Sequence, residues 1–163
     1  MADADSVVRH ANNERVARQL RDRFPHPYVK ASAVAFLKGA VTADDPSNLA
    51  IEVAGEAVGA IGYVRGTDVE RYSAEIGYWL GEALWGQGIA TEALVLVTEH
   101  LFGPPNLLRL FALPFADNAG SIRALEKAGY VREATLRSSS VKFGHARDQT
   151  LFARTNPAWR GAL

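Results

Sequence analysis

A chain of 163 residues fits one domain spanning residues 1–163. Its 18 basic and 18 acidic residues cancel, which excludes a strongly basic nucleic-acid binder as the default, and an apolar share of 48% excludes a disordered chain. The lack of cysteine excludes disulfides, thiolate metal sites and a cysteine nucleophile, and no apolar run reaches the ~18 residues of a membrane helix. These features predict a soluble cytoplasmic domain with no nucleic-acid partner and no membrane partner.

Ser6 to Leu20 carries helical periodicity broken at Asn12-Asn13, so two short helices are expected. Phe24-Pro25-His26-Pro27-Tyr28 is loop, because both prolines lack a donor and push their predecessors extended. Ala31 to Val41 reads as a helix with Val34, Phe36, Leu37 and Val41 as its apolar stripe. A turn at Asp44-Asp45-Pro46-Ser47 leads into a strand over Asn48–Val53. Ala54-Gly55 makes a hairpin turn into a second strand over Glu56–Arg65, and Arg71–Leu80 forms a third. Short turns between these strands predict an antiparallel meander.

The pattern then changes. Gly81 to Gln87 is a glycine-bearing loop, and Gly88 to Phe102 a helix with Ile89, Ala93, Leu96, Val97 and Leu101 on its apolar face. Gly103-Pro104-Pro105 ends it. Leu107–Leu113 is apolar throughout, as a strand buried on both faces would be. Asp117 or Asn118 caps a short helix reaching Ala128, with Ile122, Leu125 and Ala128 inward. Tyr130–Arg137 and Asp148–Arg154 close the domain as two strands around Gly144-His145. A crossover helix between two parallel strands makes this half a βαβ unit.

Trp85-Gly86-Gln87-Gly88-Ile89-Ala90-Thr91-Glu92-Ala93 is the sharpest local feature. Unpaired amides at a helix start face an anion at the positive end of the helix dipole, and small residues let a bulky ligand approach that backbone. Gly86, Gly88 and Ala90 are small, and Thr91 adds a hydroxyl. A phosphate or diphosphate is the ligand this chemistry suits, while a plain, tightly packed helix start is the alternative. No lysine completes a Walker A loop, and the antiparallel strands upstream argue against a Rossmann dinucleotide site. His10, His26, His100 and His145 have no metal-ligand spacing, so no metal is expected.

The string resembles motif A of the GNAT superfamily of acyl-CoA-dependent N-acetyltransferases, whose pattern is Q/R-x-x-G-x-G/A. Gly88 and Ala90 match its last two small positions, and Trp85 replaces the leading Gln or Arg. With Glu75-Ile76-Gly77-Tyr78-Trp79-Leu80 before it, the region looks like the branch that acetylates ribosomal-protein N-termini. Asn118-Ala119-Gly120-Ser121 and Glu126-Lys127-Ala128-Gly129-Tyr130 are similar to that branch's second motif, N-x-x-S followed by E-K-x-G-F/Y.

The resemblance implies an α+β GNAT-like acyl-CoA N-acyltransferase fold: a mixed, mostly antiparallel sheet flanked by helices. The usual first edge strand is missing from this sequence, which would leave Asn48–Val53 exposed at the sheet edge. The implied co-substrate is acetyl-CoA, and the implied acceptor a protein N-terminus or a small-molecule amine. The backbone of Gln87, Gly88, Ile89, Ala90 and Thr91 would hold the diphosphate. The main chain of Tyr78, Trp79 and Leu80 would pair with the pantetheine, and the strand is expected to splay from Leu107–Leu113 there, helped by Pro114. Asn118 and Ser121 would face CoA, with Ser121 near the sulfur; on their own residues they read first as a helix cap and a first-turn polar residue. Leu125 stands where many members carry a tyrosine acid. Glu75 is the candidate base, with an exposed or salt-bridged strand glutamate as the alternative. Arg123 and Lys127 are solvated helix charges or contacts to the adenosine 3′-phosphate. Transfer would be direct, in a ternary complex, since no covalent nucleophile is evident. An exposed edge strand also favours self-pairing into a homodimer. A CoA-binding sensor module without catalysis fits the glycine loop as well, but would need neither Glu75 nor Ser121.

Overall fold

The structure, a computed structural model, describes residues 3–42, 47–104 and 106–161, with the side chains of 41 and 42 outside the description. The expected turn at Asp44–Ser47 lies outside the described residues apart from Ser47. The chain divides into two compact units, Met1–Gly62 with Tyr78–Gln87 and Tyr63–Gly77 with Gly88–Leu163.

In the first unit, α1 (Ala4–Ala11) and α2 (Glu14–Ala17) part at the two asparagines. Asn13 is extended, and its side-chain oxygen accepts from the backbone N–H groups of Arg15 and Val16. Capping of this kind competes with continued helix, which is why the break falls there. Asn12 Oδ1 accepts from the Tyr28 N–H at 3.0 Å, tying the proline loop to the break. α3 (Lys30–Thr42) follows, and Ala4, Val7, Ala11, Tyr28, Ala33 and Ala57 form a small core with Phe24, Leu37 and Trp79 packed against it. The expected α3 stripe is displaced: Ala33 is wholly buried, whereas Val34, Phe36 and Leu37 are half-buried. An alanine-rich helix can approach its neighbours closely, so the smallest residue marks the contact line.

β1 (Asn48–Val53) pairs antiparallel with β2 (Glu56–Arg65), from Asn48↔Gly62 to Val53↔Glu56. Ala54 and Gly55 both take positive φ, 53° and 80°, as a two-residue hairpin turn of the favoured hand requires. Among the described residues β1 is the first strand of the sheet order, and it buries only Ile51.

In the second unit, the first residues of β3 (Ser73–Leu80) run parallel to β4 (Arg109–Ala112), and α4 (Ile89–Phe102) makes the crossover. β4 is shorter than the expected Leu107–Leu113. α4 buries Leu94, Val97, Thr98 and Leu101, while Leu96 is 59% exposed and Ile89 and Ala93 are half-buried. The run from Ala93 to Val97 is apolar at every position and sets no phase; tertiary packing chose it. Thr98 and Tyr130 share a buried hydrogen bond of 2.7 Å, and burial pushes the Tyr130 phenol up from its ordinary value. α5 (Ala119–Lys127) buries Leu125, with Ala128 just beyond it also buried.

The closing strands are longer than expected. β5 (Val131–Lys142) and β6 (His145–Thr155) form one antiparallel hairpin, broken by register shifts at Arg132/Ala134 and Leu136/Ser140. The stretch 138–147 opens on three serines and leaves Val141 and Phe143 exposed, so no core-facing alternation runs through it. It is held by side chains instead: the Ser138 N–H donates to Asp148 Oδ1, Ser139 Oγ to Gln149 Oε1 and Ser140 Oγ to the Arg147 carbonyl.

The six strands make a mixed sheet in the order β1-β2-β3-β4-β6-β5. Its β1/β2, β4/β6 and β5/β6 ladders are antiparallel, and β3/β4 is parallel.

Candidate active site

The loop Gly81–Gln87 contains a short turn of 3-10 helix, Glu82–Leu84, and is cross-braced within the first unit. Trp85 Nε1 donates to the Leu80 carbonyl at 2.8 Å, and Gln87 Nε2 donates to the Ala83 carbonyl at 3.1 Å. Asn13 Nδ2 donates to Glu82 Oε2 at 2.6 Å, the Arg15 guanidinium pairs with the other Glu82 oxygen, and its Cζ stands 5.6 Å from the Trp85 ring centroid.

In the second unit, Gly88 takes a left-handed conformation (φ 86°, ψ −11°) as the cap residue of α4, and no side chain caps that end. The first intrahelical bond runs from the Glu92 N–H to the Gly88 carbonyl at 3.0 Å. The amides of Gly88, Ile89, Ala90 and Thr91 therefore have no helical acceptor and point along the positive end of the dipole. A Cβ placed on Gly88, or on Gly86 (φ 79°), would meet nothing within 4 Å. Conformation, not crowding, reserves these positions for glycine, and the space before the first turn is open.

The β3/β4 ladder covers only Ser73↔Arg109, Ala74↔Leu110 and Glu75↔Phe111, while β3 continues to Leu80. Beyond Ala112 the chain follows β6. The Leu113 carbonyl accepts from Gln149 Nε2 at 3.0 Å, the Pro114 carbonyl from the Thr150 N–H at 2.9 Å, and the Ala116 N–H donates to the Asp148 carbonyl at 2.9 Å. The parallel ladder thus ends at Glu75↔Phe111, and Pro114 offers no N–H with which to extend it.

Asn118 caps α5: its Oδ1 accepts from the Ser121 N–H at 3.1 Å, and its Nδ2 has no partner among the described residues. Ser121 is half-buried in the first turn of that helix. Just before the cap, Asp117 pairs with Arg147, whose guanidinium carbon lies 3.8 Å from the Phe115 ring centroid. Glu75 is half-buried between the buried Ala74 and Ile76, on the alternate face of β3. Leu125 is fully buried, and its hydrocarbon side chain supplies no proton.

Comparison with known proteins places this geometry. The family model described as an acetyltransferase (GNAT) domain matches residues 1–131. The chain belongs to the GNAT acetyltransferase family. The GNAT relatives include a probable N-acetyltransferase of Bacillus subtilis, YjcK, 40% identical over 85 residues that cover 52% of this chain and 47% of the relative. The ribosomal-protein-serine acetyltransferase of Escherichia coli is 31% identical over 99 residues, covering 61% of this chain and 55% of that protein. The chain spans about half the length of the curated relatives it matches, 47–59%. Among solved structures, Mycobacterium smegmatis RimJ in complex with CoA-disulfide superposes with a TM-score of 0.81 at 28% identity, over 94% of this chain and 78% of that one.

In this GNAT chain the second unit carries Glu75, the amides of Gly88 to Thr91, Asn118 and Ser121, and the first carries Tyr78, Trp79, Leu80 and Gln87. One expectation narrows: the Leu80 carbonyl is occupied by Trp85, leaving fewer main-chain groups there for a ligand. The Trp79 ring packs edge-on to Phe24, 5.5 Å between centroids, so its side chain serves the core. Tyr28 is a core residue too, and burial pushes its phenol up. Arg123 and Lys127 stand exposed on α5. Glu82 and Trp85, which brace Gly81–Gln87, and Arg147 and Gln149, which tie Leu113–Asp117, were given no such role by the sequence. Trp85 alone left a signal, as the residue departing from the motif; Arg147 lies 30 positions from Asp117, and no local pattern joins them.

Proposed function

We propose that this protein transfers an acetyl group from acetyl-CoA to a primary amine, on a protein N-terminus or a small molecule, directly within a ternary complex. The observation that carries the reading is the uncapped, left-handed start of α4, where four amides have no helical acceptor in a chain of GNAT membership. A diphosphate there would receive charge-assisted hydrogen bonds from Gly88, Ile89, Ala90 and Thr91, with the Gln87 amide adjoining. The RimJ relative binds a CoA-disulfide, and the Escherichia coli relative is named for acetylating a ribosomal protein; both names support a CoA ligand and a protein acceptor.

In this reading the main chain of Tyr78 and Trp79 pairs with the pantetheine, with the Leu80 N–H beside them. Asn118 Nδ2 donates to the pantetheine while Oδ1 keeps the helix cap. Glu75 takes the proton that frees the amine lone pair. The amine nitrogen attacks the thioester carbon, main-chain N–H groups meet the developing oxyanion, the C–S bond breaks with the thiolate accepting a hydrogen bond from the Ser121 hydroxyl, and the extra proton on the nitrogen passes through water to that thiolate, leaving the amide and free CoA. Titration calorimetry with acetyl-CoA, together with thiol release over a panel of amines and N-terminal peptides, tests the proposal. Binding with turnover supports it. Binding without turnover on any amine replaces it with a CoA-binding module, and no binding removes both.

A further inference from the structure

We infer that Arg147 is a positioning residue for the thioester end of the acetyl-CoA site, acting through Asp117 on the Asn118 cap; the inference rests on the function proposed above. The stretch from Leu113 to Asn118 is irregular backbone, and its two ends are tied to one strand. At its start, Gln149 Nε2 holds the Leu113 carbonyl at 3.0 Å. At its end, Arg147 holds the Asp117 carboxylate and covers the Phe115 ring. Residues two apart on a strand share a face, so β6 presents both ties to the same stretch.

Asp117 is 69% exposed, and an ion pair with so wet a carboxylate is weak by itself. Arg147 is not wet: its side chain is only 13% exposed, and its carbonyl is pinned by Ser140 Oγ at 3.1 Å. A guanidinium laid on the Phe115 ring and largely shielded from water, on a residue whose own main chain is pinned in the hairpin, is held more firmly than a free surface arginine. Against it, Asp117 sets where the backbone turns into α5. The next residue is Asn118, whose Oδ1 is committed to the Ser121 N–H and whose Nδ2 points away from that bond. Loss of that guanidinium lets the cap rotate, which moves Nδ2 and the Ser121 hydroxyl together and leaves the start of α4 untouched.

The test uses Arg147→Ala, Asp117→Ala and the double variant. Hydrogen exchange on the free protein should show faster exchange at Ser121 and Ile122 in all three, with Glu92 and the α4 core unchanged. Acetyl-CoA should bind roughly tenfold more weakly in each, the double being no worse than either single. The nucleotide half of CoA, 3′-phospho-ADP, measured by displacement, should keep its affinity within about twofold, a split that mere loss of structure would not give. Unchanged exchange at Ser121, equal weakening of both ligands, or additive losses in the double variant would overturn the inference. If the wild-type protein binds neither ligand, the site reading fails and takes the ligand half of the inference with it. The exchange arm still judges the tie from Arg147 to the cap on its own.

Discussion

Gly88→Ala and Gly86→Ala form a matched pair that separates strain from obstruction. The two glycines have nearly equal positive φ, 86° and 79°, and a Cβ at either meets nothing within 4 Å. Each alanine should therefore carry the same left-handed penalty, about 1–2 kcal/mol. For a domain of this size that lowers Tm by roughly 2–8 °C, equally in both variants. Their ligand effects should differ. The methyl at 88 enters the space in front of the first turn of α4, where a diphosphate would sit, and displaces at least one charge-assisted hydrogen bond. Such a bond is worth about 1.5–3 kcal/mol, so Kd for acetyl-CoA should rise by about tenfold or more. At 86 the methyl precedes that turn, and Kd should rise by less than about threefold. Thermal melts and calorimetry on both variants decide the matter. If Gly88→Ala shows the melting loss but binds acetyl-CoA like Gly86→Ala, the α4 start does not hold the diphosphate.

Glu75→Gln should leave acetyl-CoA affinity unchanged and lower kcat at pH 7 by about 10²–10⁴-fold, as loss of a general base does; a kcat within a few-fold of wild type would remove Glu75 from the mechanism. Thr98→Val leaves the Tyr130 hydroxyl buried without its partner and should cost about 1–3 kcal/mol by urea denaturation, and the double variant with Tyr130→Phe should cost less than the sum of the singles. Arg109 hydrogen-bonds Glu133 and holds its carboxyl below the ordinary 4.5. That pair's contribution is present above pH 4.5 and is lost as pH falls through the depressed value. Because the pair is partly solvated, Glu133→Gln should cost at most about 1 kcal/mol at pH 7 and nothing in strong acid, and a cost that persists in acid would refute the linkage.

The elements that a one-dimensional pattern encodes were legible. Paired asparagines mark the break between α1 and α2 because their short amides compete with helix locally. Ala54-Gly55 marks the first hairpin because that turn needs two positive φ values. The N-x-x-S cap was legible because Asn118 meets an amide three residues on, and the glycine loop because a left-handed helix start calls for glycine at 88. What was hidden is non-local. Leu94 is buried and Leu96 exposed for reasons that lie in what α4 packs against. The far half of the β5/β6 hairpin opens on three serines in a row, which donate to Asp148, Gln149 and the Arg147 carbonyl, and no alternation rule anticipates those bonds. The Arg147–Asp117 pair belongs to the same class: only the fold brings the two residues together.

The bracing of Gly81–Gln87 by Trp85, Gln87 and Glu82 bears on how a ligand arrives. A segment already locked in its final shape surrenders little chain entropy on capture, so association should be a single fast phase with no slow closing step behind it. Replacing Trp85 with alanine would then make the same destination reachable only after an ordering delay, seen as a second, concentration-independent phase in stopped-flow traces.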